Sequence, residues 1–260
     1  MIASLWRGAS GMQANRLRVD SLAHDIANVN TPGYKRGQVE FRELLQRVIR
    51  EGGMPVDRPR ETALAPALGA GVRAISREKD FSQGALLATG QPLDLAIQGQ
   101  GFFPLVGPDG GWYFTRNGSF HLDNEGNLVN GAGYFLDIPF GMPPEAEKIV
   151  INSEGLITAE IDGEIQEIGE INLAYLPNPA GMEAVGDNLY RETEASGLAY
   201  LGRPGTEGLG ILRPGYLEAS NVELVTAMTQ IILAQRAYEL SSRSVRIADE
   251  MWGLANNLRG

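Results

Sequence analysis

The sequence contains no cysteine. That absence excludes a disulfide framework, a thiolate metal site and a cysteine nucleophile together. Histidine is almost as scarce: His24 and His121 are the only two. They stand far apart and form no HExxH pair, so zinc-protease chemistry has no footing. No GxSxG elbow and no GxxxxGK[ST] loop occurs, which removes the usual serine nucleophile and the phosphate cradle. No apolar run approaches the ~18 residues that a membrane span requires, so no membrane span is expected. The opening MIASLWRGASGMQ lacks the charged-then-apolar plan of a cleaved secretory signal.

Positive charge is also in short supply, and unevenly so. The net charge of −10 divides into a head (residues 1–60) with 10 Lys/Arg against 6 Asp/Glu, a middle (61–220) with 8 against 22, and a balanced tail (221–260) with 4 against 4. An acidic middle repels nucleic acid, and the basic head carries no aromatic platform or reading motif, so no nucleic-acid partner is expected. At 260 residues the chain has ample length for one large or two modest domains.

What is present is a helical pattern at both ends. Ile2, Leu5, Ala9, Met12, Arg16, Val19, Ala23 and Ile26 alternate steps of three and four, a heptad seam interrupted only by Arg16. Gly8 and Gly11 weaken its local propensity, so this helix needs outside packing. Pro32 disfavours helix at Thr31 and Gly33 permits a turn, which predicts the stop. VEFRELLQRVIR (39–50) reads as a second short amphipathic helix. In the tail, Leu224, Ala227, Ile231, Ala234, Tyr238, Ser241, Val245, Ala248, Trp252 and Ala255 continue the same alternation. Ser220 or Asn221 can cap its start, and a helix of this length reaches about 50 Å. Beside the seams lie Val225, Met228, Ile232 and Leu233 in the tail, and Trp6, Leu17 and Leu22 in the head. A two-helix hairpin would leave much of this second surface wet, forfeiting ~1.5–3 kcal/mol of burial for each large side chain. Further helices must cover it, from the chain's middle or from other copies.

The middle has few helices to give. Its 33 glycines and 14 prolines, counted over the whole chain, fall mostly there. GFFPLVGPDGGWYFTRNGSFHLDNEGNLVNGAGYFLD is a run of short strands broken by Pro-Asp-Gly, Asn-Gly and Asn-Glu-Gly turns. Asp162-Gly163 is a two-residue hairpin signal. The expected fold class is α+β: N- and C-terminal coiled-coil-like helices pairing together, with an inserted, mainly antiparallel β domain. The expected division is a helical core domain from 1–30 and 220–260, a connector over 31–70 with a short helix and an extended segment, and a β-rich outer domain over 71–219.

Candidate chemistry in the middle is weak. Asp123 and Glu125 partly resemble a calcium loop, but Gly126 comes too early and no distal Glu follows, so a hairpin turn is the better account. GQGFF (99–103) lacks the third glycine and the helix of a dinucleotide fingerprint. The carboxylates of EIDGEIQEIGEI (160–171) recur at period two, as on the solvated face of a strand, although a glycosidase needs two across a cleft. His121 falls on the wet side of its strand by alternation. Asn117-Gly118-Ser119 matches a glycosylation triplet and, more simply, a turn. No enzyme, cofactor or metal is expected.

ANVNTPGYKR (27–36), GQGFF and SNVELVTAMTQIILAQRAYE (220–239), with MIASLW, FTRNGSFHLDNEGNLV (114–129) and GDNLYRET (186–193), resemble the rod and hook group of bacterial flagellar axial proteins over essentially the whole chain. The motif positions are Ala27, Asn28, Thr31, Pro32, Gly33, Tyr34 and Lys35, then Ser220, Asn221, Val222, Gln235, Arg236, Ala237, Tyr238 and Glu239. SLW, the length and ALGAGVR (67–73) favour the distal-rod members. The resemblance implies a structural subunit whose end helices stack with neighbouring copies into the inner tube of a helical homopolymer, with the β middle outside. Its implied partners are adjacent rod and hook proteins, the surrounding ring proteins and the flagellar export apparatus. The implied location is the periplasmic rod of the basal body, reached without a cleaved signal peptide. The expected polymer interface comprises Leu5, Ala9, Met12, Val19, Ala23 and Ile26 in the head, with Leu224, Ala227, Met228, Ile231, Ala234, Tyr238, Val245 and Ala248 in the tail. Arg16 is either a register device with a carboxylate partner or a snorkelling charge. The alternatives are a proximal-rod or hook protein of the same family, and a periplasmic carbohydrate hydrolase using the acidic middle.

Overall fold

The computed structural model describes residues 2–43, 71–138, 141, 148–161 and 164–257. Two long helices, α1 (Ile2–Ala27) and α2 (Leu224–Asn257), flank a series of short, mostly antiparallel strands. The chain forms two compact units. One comprises Met1–His24, Gln38–Arg77 and Val225–Gly260; the other comprises Asp25–Gly37 and Glu78–Leu224.

In the helical unit, Gly8 of α1 faces Val245 of α2, and Gly11 faces Ser241. One turn forward in α1 is one turn back in α2, so the helices run antiparallel. A Cβ on Gly8 would overlap Val245 Cγ2, and one on Gly11 would lie 3.2 Å from Ser241 Oγ. The two glycines, which weaken the helix locally, are what lets α2 approach. The short helix expected over 39–50 is corrected in its first half: Gly37–Glu43 is a strand, paired in a two-stranded sheet with Val72–Lys79. Alternate residues there, Val39 and Phe41 among them, are the more covered ones, a period of two that decides for strand. Residues 44–50 and the extended connector expected over 51–70 lie outside the described residues.

The β unit is built on a seven-stranded antiparallel sheet. In spatial order its strands are Glu183–Gly186, Leu189–Arg191, Trp112–Thr115, Phe103–Val106, Phe135–Leu136, Leu128–Asn130 and Phe120–Leu122. A three-stranded meander, Lys148–Ile151, Leu156–Ile161 and Glu164–Glu170, adds a second sheet. Asp162 and Gly163 lie outside the described residues, but Ile161 pairs with Glu164 across them. Alternation sends Phe103 into one core, with Leu95, Ile97, Leu105, Phe120 and Leu173. Its neighbour Phe102 enters another, with Phe114, Leu176 and Tyr190. There Phe81 stacks edge-on to Phe102 and Tyr190 at 5.3 and 5.1 Å.

Polar turn residues close these hairpins. Asp123 Oδ1 accepts from the N–H groups of Glu125 and Asn127, both at 2.8 Å. Asn130 repeats the geometry with Ala132 and Tyr134, and Asn152 repeats it with Glu154 and Leu156. Asn117 accepts from Ser119 N–H in the same way. Each side chain satisfies turn donors that no strand partner reaches.

Candidate functional site

The strands that lead into and out of the β unit pair with each other. Leu86–Ala88 pairs with Tyr216–Glu218, and Leu95–Gln98 with Ile211–Pro214. The Thr-Pro-Gly-Tyr break after α1 docks against this ribbon. Gly33 adopts φ +69°, a left-handed conformation, and its N–H donates to Glu218 O at 2.7 Å. A Cβ there would lie 2.5 Å from Asn117 N, so only glycine fits. Asn188 Nδ2 supports the turn from the far side by donating to Pro32 O.

Lys35 and Glu218 then meet fully buried, with Lys35 Nζ 2.6 Å from Glu218 Oε1. Lys35 Nζ also donates to Ser82 O at 2.7 Å, and Gly84 N–H donates to Glu218 Oε1 at 2.9 Å. Arg116 Nη1 stands 3.4 Å from Glu218 Oε2, and Nη2 donates to Gly99 O at 2.9 Å. Burial holds the Lys35 ammonium below its ordinary value, opposed by Glu218. Burial likewise lowers the Arg116 guanidinium, again against the pull of Glu218. A buried ion pair this well hydrogen-bonded contributes little net stability when intact, yet removing Glu218, the carboxylate both cations share, costs about 3–5 kcal/mol.

The neighbouring contacts extend the anchor. Tyr34 O–H donates to Asp25 Oδ1 at 2.7 Å, and Lys79 Nζ sits 4.3 Å over the Tyr34 ring. Arg36 pairs with Asp80, and its N–H donates to Asn221 Oδ1 at 2.8 Å. Asn221 Nδ2 in turn donates to Asp80 O and Ser82 O. Asn221 is therefore a cross-link rather than a helix cap, and Ser220 Oγ accepts from Val222 N–H. The motif residues Gly33, Tyr34, Lys35 and Asn221 fasten the end of α1 and the start of α2 into the β unit.

The helices themselves present two kinds of apolar face. Along α2, Ala227, Ala234 and Ala248 are buried, and Ile231 and Val245 are half-buried. Leu224, Met228 and Tyr238 of the same expected interface are exposed. In α1, Leu5, Met12, Val19 and Ile26 are half-buried, while Ala9 and Ala23 are exposed. The face that α1 gives to α2 runs through Gly8 and Gly11, rotated by one residue from the head seam. Of the remaining motif residues, Gln235, Arg236 and Glu239 are exposed, with Arg236 and Glu239 paired at 3.2 Å. Arg16 points to solvent beside Asp20, 3.9 Å away.

A second set of apolar side chains on α2 is left exposed by the described residues. Val225 is 73% exposed and Leu240 62%, and Met228, Ile232, Leu233, Ile247, Met251 and Leu254 are exposed with them. At ~100° per residue Val225 and Ile232 lie roughly opposite the Ala227–Ala234–Ala248 line, and Leu233, Leu240, Ile247 and Leu254 run as a strip about 100° to one side of it. Leu240, Ile247 and Leu254 were not singled out from the sequence; their signal is the step of seven that begins at Leu233. Trp6, 70% exposed, and Leu17 are their counterparts on α1.

The acidic middle gathers no such site. The strand Glu164–Glu170 exposes Glu164 and Glu167 while Glu170 is half-buried and paired with Arg203 at 2.7 Å, His24 and His121 are both exposed, and no group of three potential metal ligands occurs among the described residues. No described helix is long and apolar enough to cross a membrane.

Three family models match the chain. They are the flagella basal body rod protein model over residues 7–35, the flagellar hook protein FlgE/F/G D1 domain over 96–159, and the flagellar basal body rod FlgEFG protein C-terminal model over 213–258. The flagellar basal-body rod protein FlgG of Borreliella burgdorferi is 39% identical over 100% of this chain and 99% of its own length. That of Caulobacter vibrioides is 40% identical over 98% and 99%, and that of Bacillus subtilis 36% over 100% of both. With the Thr-Pro-Gly-Tyr-Lys anchor, the antiparallel end helices and the β insertion all falling within these matches, the chain belongs to the FlgG family of flagellar basal-body rod proteins.

Proposed function

We propose that this chain is a structural, non-enzymatic subunit of the flagellar distal rod, polymerising helically into the shaft that carries torque from motor to hook. The observation that carries this reading is the second apolar stripe of α2, uncovered in a chain whose first seam is already occupied. Contiguous exposed apolar surface of this kind marks an association face. Neighbouring copies cover it, extending the Gly8–Val245 contact into a coiled-coil-like inner tube with the β unit outside. The expected interface residues divide between these faces: Ala227, Ile231, Ala234, Val245 and Ala248 set the pairing within the chain, while Leu224, Met228, Tyr238, Ala9 and Ala23 are open to other copies. Rod and hook neighbours continue the same axial packing; ring proteins surround it in the periplasm, and the subunit arrives through the flagellar export apparatus. Torque passes without slip because close-packed side chains transmit strain.

Electron microscopy of basal bodies from cells lacking this chain tests the assignment. Rods that end short of the hook position, with motility lost, are expected. Complete rods lacking only a hook, or rods missing their base, would move the chain to another place in the axial series.

A further inference from the structure

Asp137 is a half-buried carboxylate without a partner. Its side chain makes no hydrogen bond or ion pair with the described residues, and burial holds it above the usual carboxylate range with no cation set against it. The ladder fixes which way it faces. Val106 pairs with Phe135 and Leu105 with Leu136, and the Asp137 N–H donates to Pro104 O at 3.1 Å, one step past the strand. Leu105 and Leu136 enter the core. Alternation therefore puts Asp137 on the opposite face of the sheet, with Val106 and Phe135.

Those three residues line a cavity of about 330 Å³, together with Gly126, Asn127 and Leu128. Phe135 is 37% exposed, so the cavity is reached from solvent. We infer that this cavity is the socket for a lysine or arginine side chain of a basic partner protein. Its aliphatic stem lies along Val106 and Phe135, and its charged head meets Asp137. The charge of the β unit says where such a cation comes from. Residues 78–224 hold 6 Lys/Arg against 22 Asp/Glu. The four arginines there are all engaged: Arg116 with Glu218, Arg191 with Glu183, Arg203 with Glu170 and Arg213 with Gln98. The β unit of a second copy thus has no arginine to spare and repels this one on net charge, so the partner is a different protein. The socket stands on the geometry around Asp137 and is independent of the polymer assignment.

The test uses the full-length chain before assembly. Its backbone amides are followed by NMR while Nα-acetyl-lysine methylamide is added, with the norleucine analogue as the uncharged match. Saturable shifts at Gly126, Leu128 and Phe135 are expected with the lysine probe and not with norleucine. Asp137→Asn should bind the lysine probe about fivefold more weakly or worse, while Glu125→Gln, an exposed carboxylate of the neighbouring turn, should bind it as the wild type does. Asp137→Asn should also melt no lower than the wild type at neutral pH, because it removes a charge that nothing offsets. No shifts at these amides, equal binding of norleucine, or equal weakening by Glu125→Gln would overturn the inference. Self-association of the wild type that Asp137→Asn abolishes would give the cavity to a second copy and overturn the choice of partner.

Discussion

Leu240→Asp separates the two faces of α2 more cleanly than any change in the seam. In the single chain Leu240 is 62% exposed, so the substitution there costs little beyond helix propensity, about 0.5 kcal/mol. In the polymer proposed above, the same position is covered by a neighbouring copy. The lost apolar burial, about 1–2 kcal/mol for the exposed part of a leucine, adds to the cost of enclosing a carboxylate without a partner. The total is at least about 3 kcal/mol per subunit, so the critical concentration for assembly should rise by about a hundredfold or more. Sedimentation of assembled material against protein concentration reads this directly, with thermal melting of the unassembled chain as the control. Leu240→Met should leave both unchanged. Ala234→Asp should behave in the opposite way, because Ala234 is only 3% exposed within the chain and its replacement disrupts the helical unit before any assembly. An unchanged critical concentration in Leu240→Asp would refute the reasoning, and loss of the lone chain's melting transition would show that the stripe is an intrachain core.

Glu218→Gln strands two buried cations and should destabilise the β unit by about 3–5 kcal/mol, whereas Lys35→Met leaves the Arg116–Glu218 pair and should cost less than about 1.5 kcal/mol. Chemical denaturation of both variants checks the order, and the reverse order would contradict the charge count. Gly8→Val drives a side chain into Val245 and should lower the melting temperature of the helical unit; Val245→Ala should rescue it, and a double-mutant cycle without coupling would remove the contact. The Asn127 N–H donating to its carboxylate holds Asp123 below the usual range. Its stabilising contribution is complete above the ordinary value of about 3.9 and lost as pH falls through the depressed one. Asp123→Ala should therefore flatten the acid limb of stability, and a carboxyl NMR titration at or above the ordinary value would exclude this.

The end helices and β middle were legible because they rest on local periodicity and turn chemistry. Asp123 and Asn130 announce hairpins within five residues, and the tail alternation places Ala227, Ala234 and Ala248 on one line. The α1 contact face was not legible in the same way. Apolar spacing pointed to Ala9 and Ala23, whereas the approach of α2 is decided by the absence of side chains at Gly8 and Gly11. Strand Gly37–Glu43 was mistaken for helix because its partner, Val72–Lys79, lies some thirty residues downstream. The anchor was legible only in part. Tyr34, Lys35 and Asn221 stood out through the resemblance, but Glu218 lies 183 residues from Lys35. Nothing local marks a glutamate that will be buried. Leu240, Ile247 and Leu254 repeat at seven, a signal masked by the stronger seam beside it.

Electron cryo-microscopy of polymers assembled from the full-length chain tests the central claim most directly. The account predicts that Leu233, Leu240, Ile247 and Leu254 are buried against helices of neighbouring copies in the inner layer, with the seven-stranded sheet in the outer one. A polymer in which this stripe faces solvent, held together through the β unit alone, would contradict it.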